Sequence, residues 1–389
     1  MSRNAELSGG RDISTEAKHI LLLEPYFTGS HAAWAEGYAQ HSRHRVSVLS
    51  LPGRFWKWRM HGGAVTLARQ FLATDLQPDC ILATDMLDLT TFLALTRERT
   101  SHVPAALYFH ENQLSYPWSP QDRDITQGRD LHYGFVNYAS AMAADALFFN
   151  SSYHLEAFFA GTSRLLKHFP DYNELDSLPP LRARSHVLAL GLDLRRFDAF
   201  RPAPRKAPNS PPVILWNHRW EYDKNPQEFF QALYTLIERG LDFRVVMLGA
   251  SFRQQPAEFL EAGARLGSRL LHTGYVADFA DYARWLWRAD LLPVTSHHDF
   301  FGASIVEAIY CGCWPLLPTR LSYPELIPPG QRVLCFYRDA PDLVDRLQAA
   351  IEGDSWPDMA PLQSAVARFD WQVLGAVYDE HLDVLCRQH

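Results

Sequence analysis

Short, wholly apolar runs alternate with stretches whose apolar positions recur at helical spacing, and the alternation continues along most of the chain. His19-Ile-Leu-Leu-Leu-Glu24 reads as a buried strand ending at Pro25, since a run this short with no polar interruption fits a strand covered on both faces. The small-residue loop Gly29-Ser30-His31 follows, then a helical face over Ala32 to Gln40. Arg45 to Leu51 predicts a second strand, Val65 to Ala73 a helix, Cys80 to Ala83 a strand and Thr90 to Glu98 a helix. Ala105 to Phe109 and Asp145 to Phe149 are further strands, the latter followed by a helix from about Tyr153. Repeated strand–helix units of this kind imply a parallel sheet covered by helices on both faces, with ligand sites beyond the carboxyl ends of the strands.

The pattern breaks once, at Arg201-Pro-Ala-Pro-Arg-Lys-Ala-Pro-Asn-Ser-Pro-Pro212, whose prolines disfavour helix interiors and central strands. It then restarts. Val213 to Trp216, Phe243 to Leu248, Leu270 to Thr273, Asp290 to Val294, Trp314 to Leu317 and Arg332 to Phe336 predict a second sheet, with Pro226 opening a helix. Phe369 to Leu385 is helical in spacing. The expected organisation is a flexible extension over 1–18, an N-terminal domain over 19–200, a linker over 201–212, a C-terminal domain over 213–366 and a final helix over 367–389. A chain of 389 residues fits two cores better than one.

Composition narrows the function. A hydrophobic fraction of 47% and a charged fraction of 21% are those of a globular protein. The 37 basic and 44 acidic residues leave a net charge of −7, so a nucleic-acid partner requires a local basic patch. Five scattered cysteines without a CxxC pair predict reduced thiols in a cytoplasmic protein, not a disulfide framework or a zinc site. The polar first eighteen residues lack the apolar stretch of a secretory signal, and no apolar run is long enough to span a bilayer.

Four segments carry candidate chemistry. In Trp216-Asn-His-Arg-Trp-Glu-Tyr-Asp-Lys-Asn-Pro226, Arg219 and Lys224 flank a turn before a helix start, a combination suited to a diphosphate. The bland alternative is a surface turn with two solvated cations. In Ser296-His-His-Asp-Phe-Phe-Gly-Ala-Ser-Ile-Val-Glu-Ala308, a helix begins near Ala303 or Ser304 after Gly302, and Glu307 lies about a turn inside it, where a carboxylate can accept both hydroxyls of a ribose. Asp299 as a helix cap and Glu307 as a solvated first-turn acid are the alternatives. Tyr108-Phe-His-Glu-Asn-Gln113 ends a strand, so His110 and Glu111 are expected to project into the cleft beside Asn112 and Gln113. Arg54-Phe-Trp-Lys-Trp-Arg-Met-His61 interleaves cations with aromatics, as phosphate pairing and base stacking require, or else is an irregular loop packing two tryptophans.

The second half resembles the retaining GT-B glycosyltransferases of family 4. Ser296 to Ala308 is similar to their E-x7-E segment, with Asp299 in place of the first glutamate and Glu307 matching the second. Val187-Leu-Ala-Leu-Gly-Leu-Asp-Leu-Arg-Arg-Phe197 resembles their interdomain GVDxxxF segment, and Arg219 and Lys224 match their diphosphate-binding pair. The first half, through Leu23-Glu-Pro-Tyr-Phe-Thr-Gly-Ser-His31, Leu51 to Gly63 and Tyr108 to Gln113, resembles the tRNA-queuosine α-mannosyltransferase family. The resemblance implies an α/β GT-B fold of two Rossmann-like domains facing across a cleft, with the final helix crossing back onto the first domain. It implies a nucleotide-sugar donor, GDP-mannose, and a tRNA acceptor bearing queuosine, with retention of configuration.

On that footing the donor site is expected at Gly29, Ser30, Arg219, Lys224, Phe301, Gly302, Ala303, Ser304 and Glu307. His110 and Asp299 are the catalytic candidates, holding the transferred sugar. The acceptor surface is expected at Arg54, Trp56, Lys57, Trp58, Arg59, Glu111, Asn112 and Gln113. No acidic pair with metal-binding spacing accompanies the clamp, so no metal and no cofactor beyond the donor are expected. A glycosyltransferase with another sugar or acceptor, and a non-catalytic tRNA or nucleotide-sugar binder, are the competing functions.

Overall fold

The computed structural model describes residues 16–117, 130–203, 210–249, 257–353 and 356–388. Most of the expected 1–18 extension and positions 204–209 of the expected linker lie outside these residues.

Two six-stranded parallel sheets form the chain's two halves. The first contains β1 (His19–Phe27), β2 (Arg45–Pro52), β3 (Cys80–Thr84), β4 (Ala105–Phe109), β5 (Ala146–Phe149) and β6 (Ser185–Val187) in the order β2-β1-β3-β4-β5-β6. Its helices are α1 (Gly29–His41), α2 (Trp56–Leu72), α3 (Leu89–Thr100), α4 (Asp130–Ala143), α5 (Ser152–Leu166) and the short α6 (Leu178–Ala183). Ile20 to Leu23 are fully buried, as a strand covered on both faces requires. β1 continues through Pro25 to Phe27, with a register shift against β2 after Glu24. Pro25 stops the regular ladder there but not the strand, because proline removes one donor and tolerates extended backbone.

The second sheet has β7 (Val213–Asn217), β8 (Arg244–Leu248), β9 (Leu270–Gly274), β10 (Leu291–Pro293), β11 (Trp314–Pro318) and β12 (Phe336–Tyr337) in the order β12-β11-β10-β7-β8-β9. Around it lie α7 (Pro226–Glu238), α8 (Ala257–Leu266), α9 (Phe279–Arg288), α10 (Ala303–Tyr310), α11 (Tyr323–Leu326), α12 (Arg332–Cys335), α13 (Ala340–Glu352) and α14 (Ala360–Val366). The strand expected over Arg332 to Phe336 is mostly the single turn α12, and only Phe336 and Tyr337 pair with β11. Arg332 anchors that turn by donating to the carbonyls of Ile327 and Pro324, and Trp314 donates to the carbonyl of Leu334.

The last helix, α15 (Trp371–Gln388), returns to the first domain. Trp34 donates to Tyr378 at 3.0 Å and Tyr38 to Asp379 at 3.0 Å, tying α15 to α1. Trp371 fills the groove left by two glycines: a Cβ at Gly37 would lie 2.0 Å from its ring, and one at Gly191 2.5 Å.

Each sheet has one point where the chain reverses its direction of winding: between β1 and β3 in the first, and between β7 and β10 in the second. Helices then leave on opposite faces and open a crevice at the carboxyl ends of those strands. The functional side chains gather at these two crevices.

Candidate functional site

In the C-terminal half, β7 ends at Asn217 and the chain turns through Tyr222–Lys224 to Asn225, whose positive φ of 52° leads into α7. The two cations of this turn have unlike surroundings. Arg219 keeps 48% of its side-chain exposure, donates to the Tyr116 hydroxyl at 3.1 Å and lies 3.4 Å from Glu221. Lys224 is buried, with Nζ 2.9 Å from Asp299, 3.1 Å from Asp223 and donating to the His298 carbonyl at 2.6 Å. Burial opposes the charge on Lys224, but the two carboxylates more than offset it and its pKa is raised.

Asp299 is therefore not a helix cap. Burial works against its charge, yet Lys224, His218 and a 2.6 Å hydrogen bond from Tyr323 hold its carboxyl below the usual range. The residue before α10 is Gly302, at φ 92°, where an L side chain would be strained. The first amides of α10, from Ala303 and Ser304, have no acceptor within the helix and no side-chain cap, the arrangement that can receive an anion. Phe301 offers only its backbone, since its ring packs on Phe369 in the core. Glu307 is not a solvated acid: it accepts from Tyr282 at 2.6 Å, and burial pushes its carboxyl up to about 7.

In the N-terminal half, Gly29 (φ 52°) and Ser30 are exposed at the start of α1. His110 follows β4; its N–H donates to Asp85 at 2.7 Å and its carbonyl accepts from Asn150. Its ring lies 4.2 Å from that of His31 and edge-on to Trp34. Burial, His31 and His154 hold it well below the usual imidazole range, so it is neutral at physiological pH. Glu111 accepts from Gln113 at 2.7 Å. Asn112 is fully buried and accepts from Leu114 and Ser115, so it shapes the turn instead of facing an acceptor. Gln113 is buried too, with its N–H bonded to Asn137.

The Arg54–His61 segment is not an irregular loop. Phe55 adopts φ 52° and α2 begins at Trp56, so the cations and aromatics sit on its first turns. Phe55 is 76% exposed and Trp58 63%. Trp56 packs against Tyr133 at 5.1 Å with the Lys57 ammonium 5.5 Å over its ring, and Arg59 donates to the Pro52 carbonyl.

The two crevices face each other. Ser151 donates to the Phe300 carbonyl, Tyr222 to that of Pro117, and the rings of Tyr116 and His298 are 4.7 Å apart. Glu325 of α11 accepts from the amides of Ser152 and Tyr153, closing the start of α5.

Three residues of this site were not among the expected site residues, although Glu24 and His31 lie in the Leu23–His31 segment that carries the family resemblance. Glu24, His31 and Asp85 are buried polar groups at the β1/β3 crevice. The available signal was a lone acid closing the apolar run of β1. Among the described residues, Glu24, His31 and His110 form the one group whose ligand atoms all lie within 4.8 Å of one another, as a metal would need. Burial disfavours charge on His31, but Glu24, 3.0 Å away, overrides it and raises the imidazole to about 9, so a metal would have to displace a proton.

Residues 19–192 match the family described as tRNA-queuosine alpha-mannosyltransferase N-terminal, and residues 199–363 match glycosyl transferases group 1. The tRNA-queuosine alpha-mannosyltransferase of Drosophila melanogaster is 32% identical over 323 residues, covering 81% of this chain and 83% of that protein. A GDP-mannose:cellobiosyl-diphosphopolyprenol alpha-mannosyltransferase of Xanthomonas oryzae is 23% identical, covering 65% and 67%. Sucrose-phosphate synthase from Thermosynechococcus elongatus superposes with a TM-score of 0.71 at 14% identity, covering 96% of this chain and all of that one. Anabaena HepE in complex with UDP superposes at 0.65 with 18% identity, covering 94% and 100%. These solved structures share the GT-B fold.

Proposed function

The chain belongs to the tRNA-queuosine alpha-mannosyltransferase family, and from that premise we propose that it transfers mannose from GDP-mannose to a hydroxyl of queuosine in a tRNA anticodon loop, with retention of configuration. The observation that carries this reading is the apposition of the two switch-point crevices. One offers Arg219, the α10 amides and Glu307; the other offers His110 and Glu111, and Tyr116 bridges them to Arg219.

The donor diphosphate lies against Arg219 and the amides of Ala303 and Ser304, with the small residues Gly29 and Ser30 across the cleft. Glu307 accepts the ribose hydroxyls. Lys224 and Asp299 brace the turn behind the phosphates, and Asp299 with neutral His110 holds the mannose. In the reaction the acceptor oxygen bonds to the anomeric carbon as the carbon–phosphate oxygen bond breaks. The hydroxyl proton passes to the departing diphosphate, whose charge Arg219 and the helix start stabilise. Acceptor tRNA docks on the first turns of α2. No metal and no cofactor beyond the donor takes part.

Incubation with GDP-mannose and queuosine-containing tRNA, followed by nucleoside mass spectrometry, tests the proposal. A hexose added to queuosine is the expected result. Donor consumption with an unmodified tRNA product would reject the acceptor, and no donor turnover at all would leave a binding protein.

A further inference from the structure

The residues that follow β5 form a corner where the two domains meet. Asn150 donates to the carbonyl of His110 at 2.9 Å, and its side-chain oxygen is 2.9 Å from Nδ1 of His154. Ser151 caps α5 by accepting from the amide of His154 at 3.0 Å, and its hydroxyl donates to the Phe300 carbonyl across the cleft. The His154 ring stacks on that of Phe300 at 3.9 Å. The next two amides, of Ser152 and Tyr153, belong to the first turn of α5 and have no acceptor within the helix. Each donates at 2.8 Å to a different oxygen of Glu325, a carboxylate from the other domain. A carboxylate suits that place, because a helix start carries partial positive charge.

Glu325 sits on α11, and the same short turn also reaches the donor side. Tyr323, two residues earlier, donates to Asp299 at 2.6 Å. Ser322, just before the turn, donates at 3.0 Å to the carbonyl of Phe301, which leads through Gly302 into α10. A short route thus joins the two crevices: the His110 carbonyl, Asn150, the start of α5, Glu325, Tyr323 and Asp299. A cavity of about 400 Å³ adjoins this corner, bordered by Asn150, Ser151, Phe301, Glu325, Leu374 and Val377. Atoms that would otherwise pack there are missing, so hydrogen bonds carry the link.

We propose that Glu325 is a positioning residue for the transfer: by clamping the start of α5 to α11, it sets His110 and Asp299 at the separation that holds the transferred sugar. This rests on the reading of those two residues given above. Glu325 touches neither donor nor acceptor in that reading. It acts through Asn150 on one side and through Tyr323 on the other. The clamp uses both carboxylate oxygens. An amide in their place keeps one acceptor and turns its N–H groups toward a backbone N–H, so Glu325→Gln opens the clamp with little change in volume.

The test measures turnover by wild type, Glu325→Gln, Tyr323→Phe, their double variant and Ser152→Pro, with GDP affinity and thermal melting in parallel. Turnover is followed both as transfer to queuosine-containing tRNA and as donor hydrolysis without tRNA, so a wrong acceptor does not hide the effect. Glu325→Gln is expected to lower kcat by roughly tenfold to a hundredfold, the scale on which small misplacements of reacting groups act. GDP affinity is expected to stay within about threefold, because Arg219, Glu307 and the α10 amides remain in place. Tyr323→Phe is expected to act in the same direction, and the double variant to lose no more than about twofold beyond the worse single one, as two links of one relay do. A kcat within about twofold of wild type in Glu325→Gln would overturn the proposal, as would losses that multiply in the double variant. A loss confined to KM, or GDP binding weakened in step with kcat, would also overturn it, since the residue would then shape the donor site instead. Ser152→Pro removes one clamp donor from the helix side, at a first-turn position that proline tolerates after the extended Ser151. It is expected to lower kcat by about threefold or more. Should Glu325→Gln not fold, this variant decides alone, and an unchanged kcat would overturn the clamp. Asp299→Asn tests the underlying reading. If it turns over at the wild-type rate, that reading and the clamp's role fall together, whereas an impaired Asp299→Asn beside a normal Glu325→Gln overturns the clamp alone.

Discussion

Arg219 and Lys224 look equivalent in the sequence, as two cations five positions apart, but their surroundings give them different work. Arg219 reaches the cleft half-exposed, whereas Lys224 neutralises two carboxylates in the interior. Arg219→Ala is therefore expected to fold normally and lose one charge-assisted donor contact, about 1.5–3 kcal/mol, or roughly tenfold to a hundredfold in transfer efficiency. Lys224→Ala removes the shared counter-ion of Asp223 and Asp299 and is expected to cost about 3–5 kcal/mol of stability. Transfer kinetics together with denaturant unfolding separate the two outcomes. Glu307 supplies a second residue-scale expectation. Its folded pKa of about 7 lies above the ordinary carboxyl value, so the folded state holds a proton that the unfolded state releases. This group's contribution to stability is therefore full at low pH and declines as pH rises from the ordinary carboxyl range through about 7. Donor binding runs the other way, because a ribose needs the ionised form to accept both hydroxyls. GDP affinity is expected to weaken by up to about tenfold per pH unit below 7, and to be flat in Glu307→Gln, as titration calorimetry across pH would show.

The start of α2 is where the sequence pattern and the folded element differ most usefully. Read linearly, Arg54 to His61 is a cationic, aromatic-rich stretch; folded, it is a helix whose Trp58 faces solvent while Met60 is buried. Gly62 makes this possible, since a Cβ there would meet the Trp58 ring at 2.5 Å. Phe55, a non-glycine residue at φ 52° with an exposed ring, fits the tendency of strained backbone to occur at functional surfaces. Arg54, Lys57 and Arg59 reversed to glutamate are expected to weaken tRNA binding and flatten its salt dependence by about one unit of slope per lost phosphate contact, somewhat less on a single-stranded loop. GDP affinity, which belongs to the other sheet, is expected to hold. Affinities at several salt concentrations, with thermal melting as a control, check this. Tight binding by the triple reversal at low salt would move the acceptor surface elsewhere.

At the scale of the whole molecule, α15 fastens the chain's end onto α1, and the two sheets meet through the 110–117 and 298–300 segments. The proposed donor site then places Arg219 and the α10 amides on one side of the departing diphosphate and the start of α1 on the other. EDTA is accordingly expected to leave transfer within about twofold of its untreated rate. Loss on chelation, restored by magnesium or manganese, would require a metal-bridged donor, and restoration by zinc alone would point to the Glu24, His31 and His110 group. No helix among the described residues is long and apolar enough to cross a membrane.

Local pattern alone determined most strands, the parallel α/β class and the motifs around Arg219, Glu307 and His110, because apolar runs, glycine loops and helix starts act over a few residues. It misread the 332–336 segment, where side-chain anchors from distant turns override a short apolar run. Strand order, and with it the position of both crevices, was not legible, since it depends on which non-adjacent strands pair. Nor was the division of labour between Lys224 and Arg219, because the counter-ion Asp299 comes from a segment tens of residues away. Glu24, His31 and Asp85 show the limit most directly: the first two are seven positions apart, but Asp85 joins them only because β3 lies beside β1. Their chemistry arises from being buried together, a property of the folded sheet that no single stretch of sequence carries.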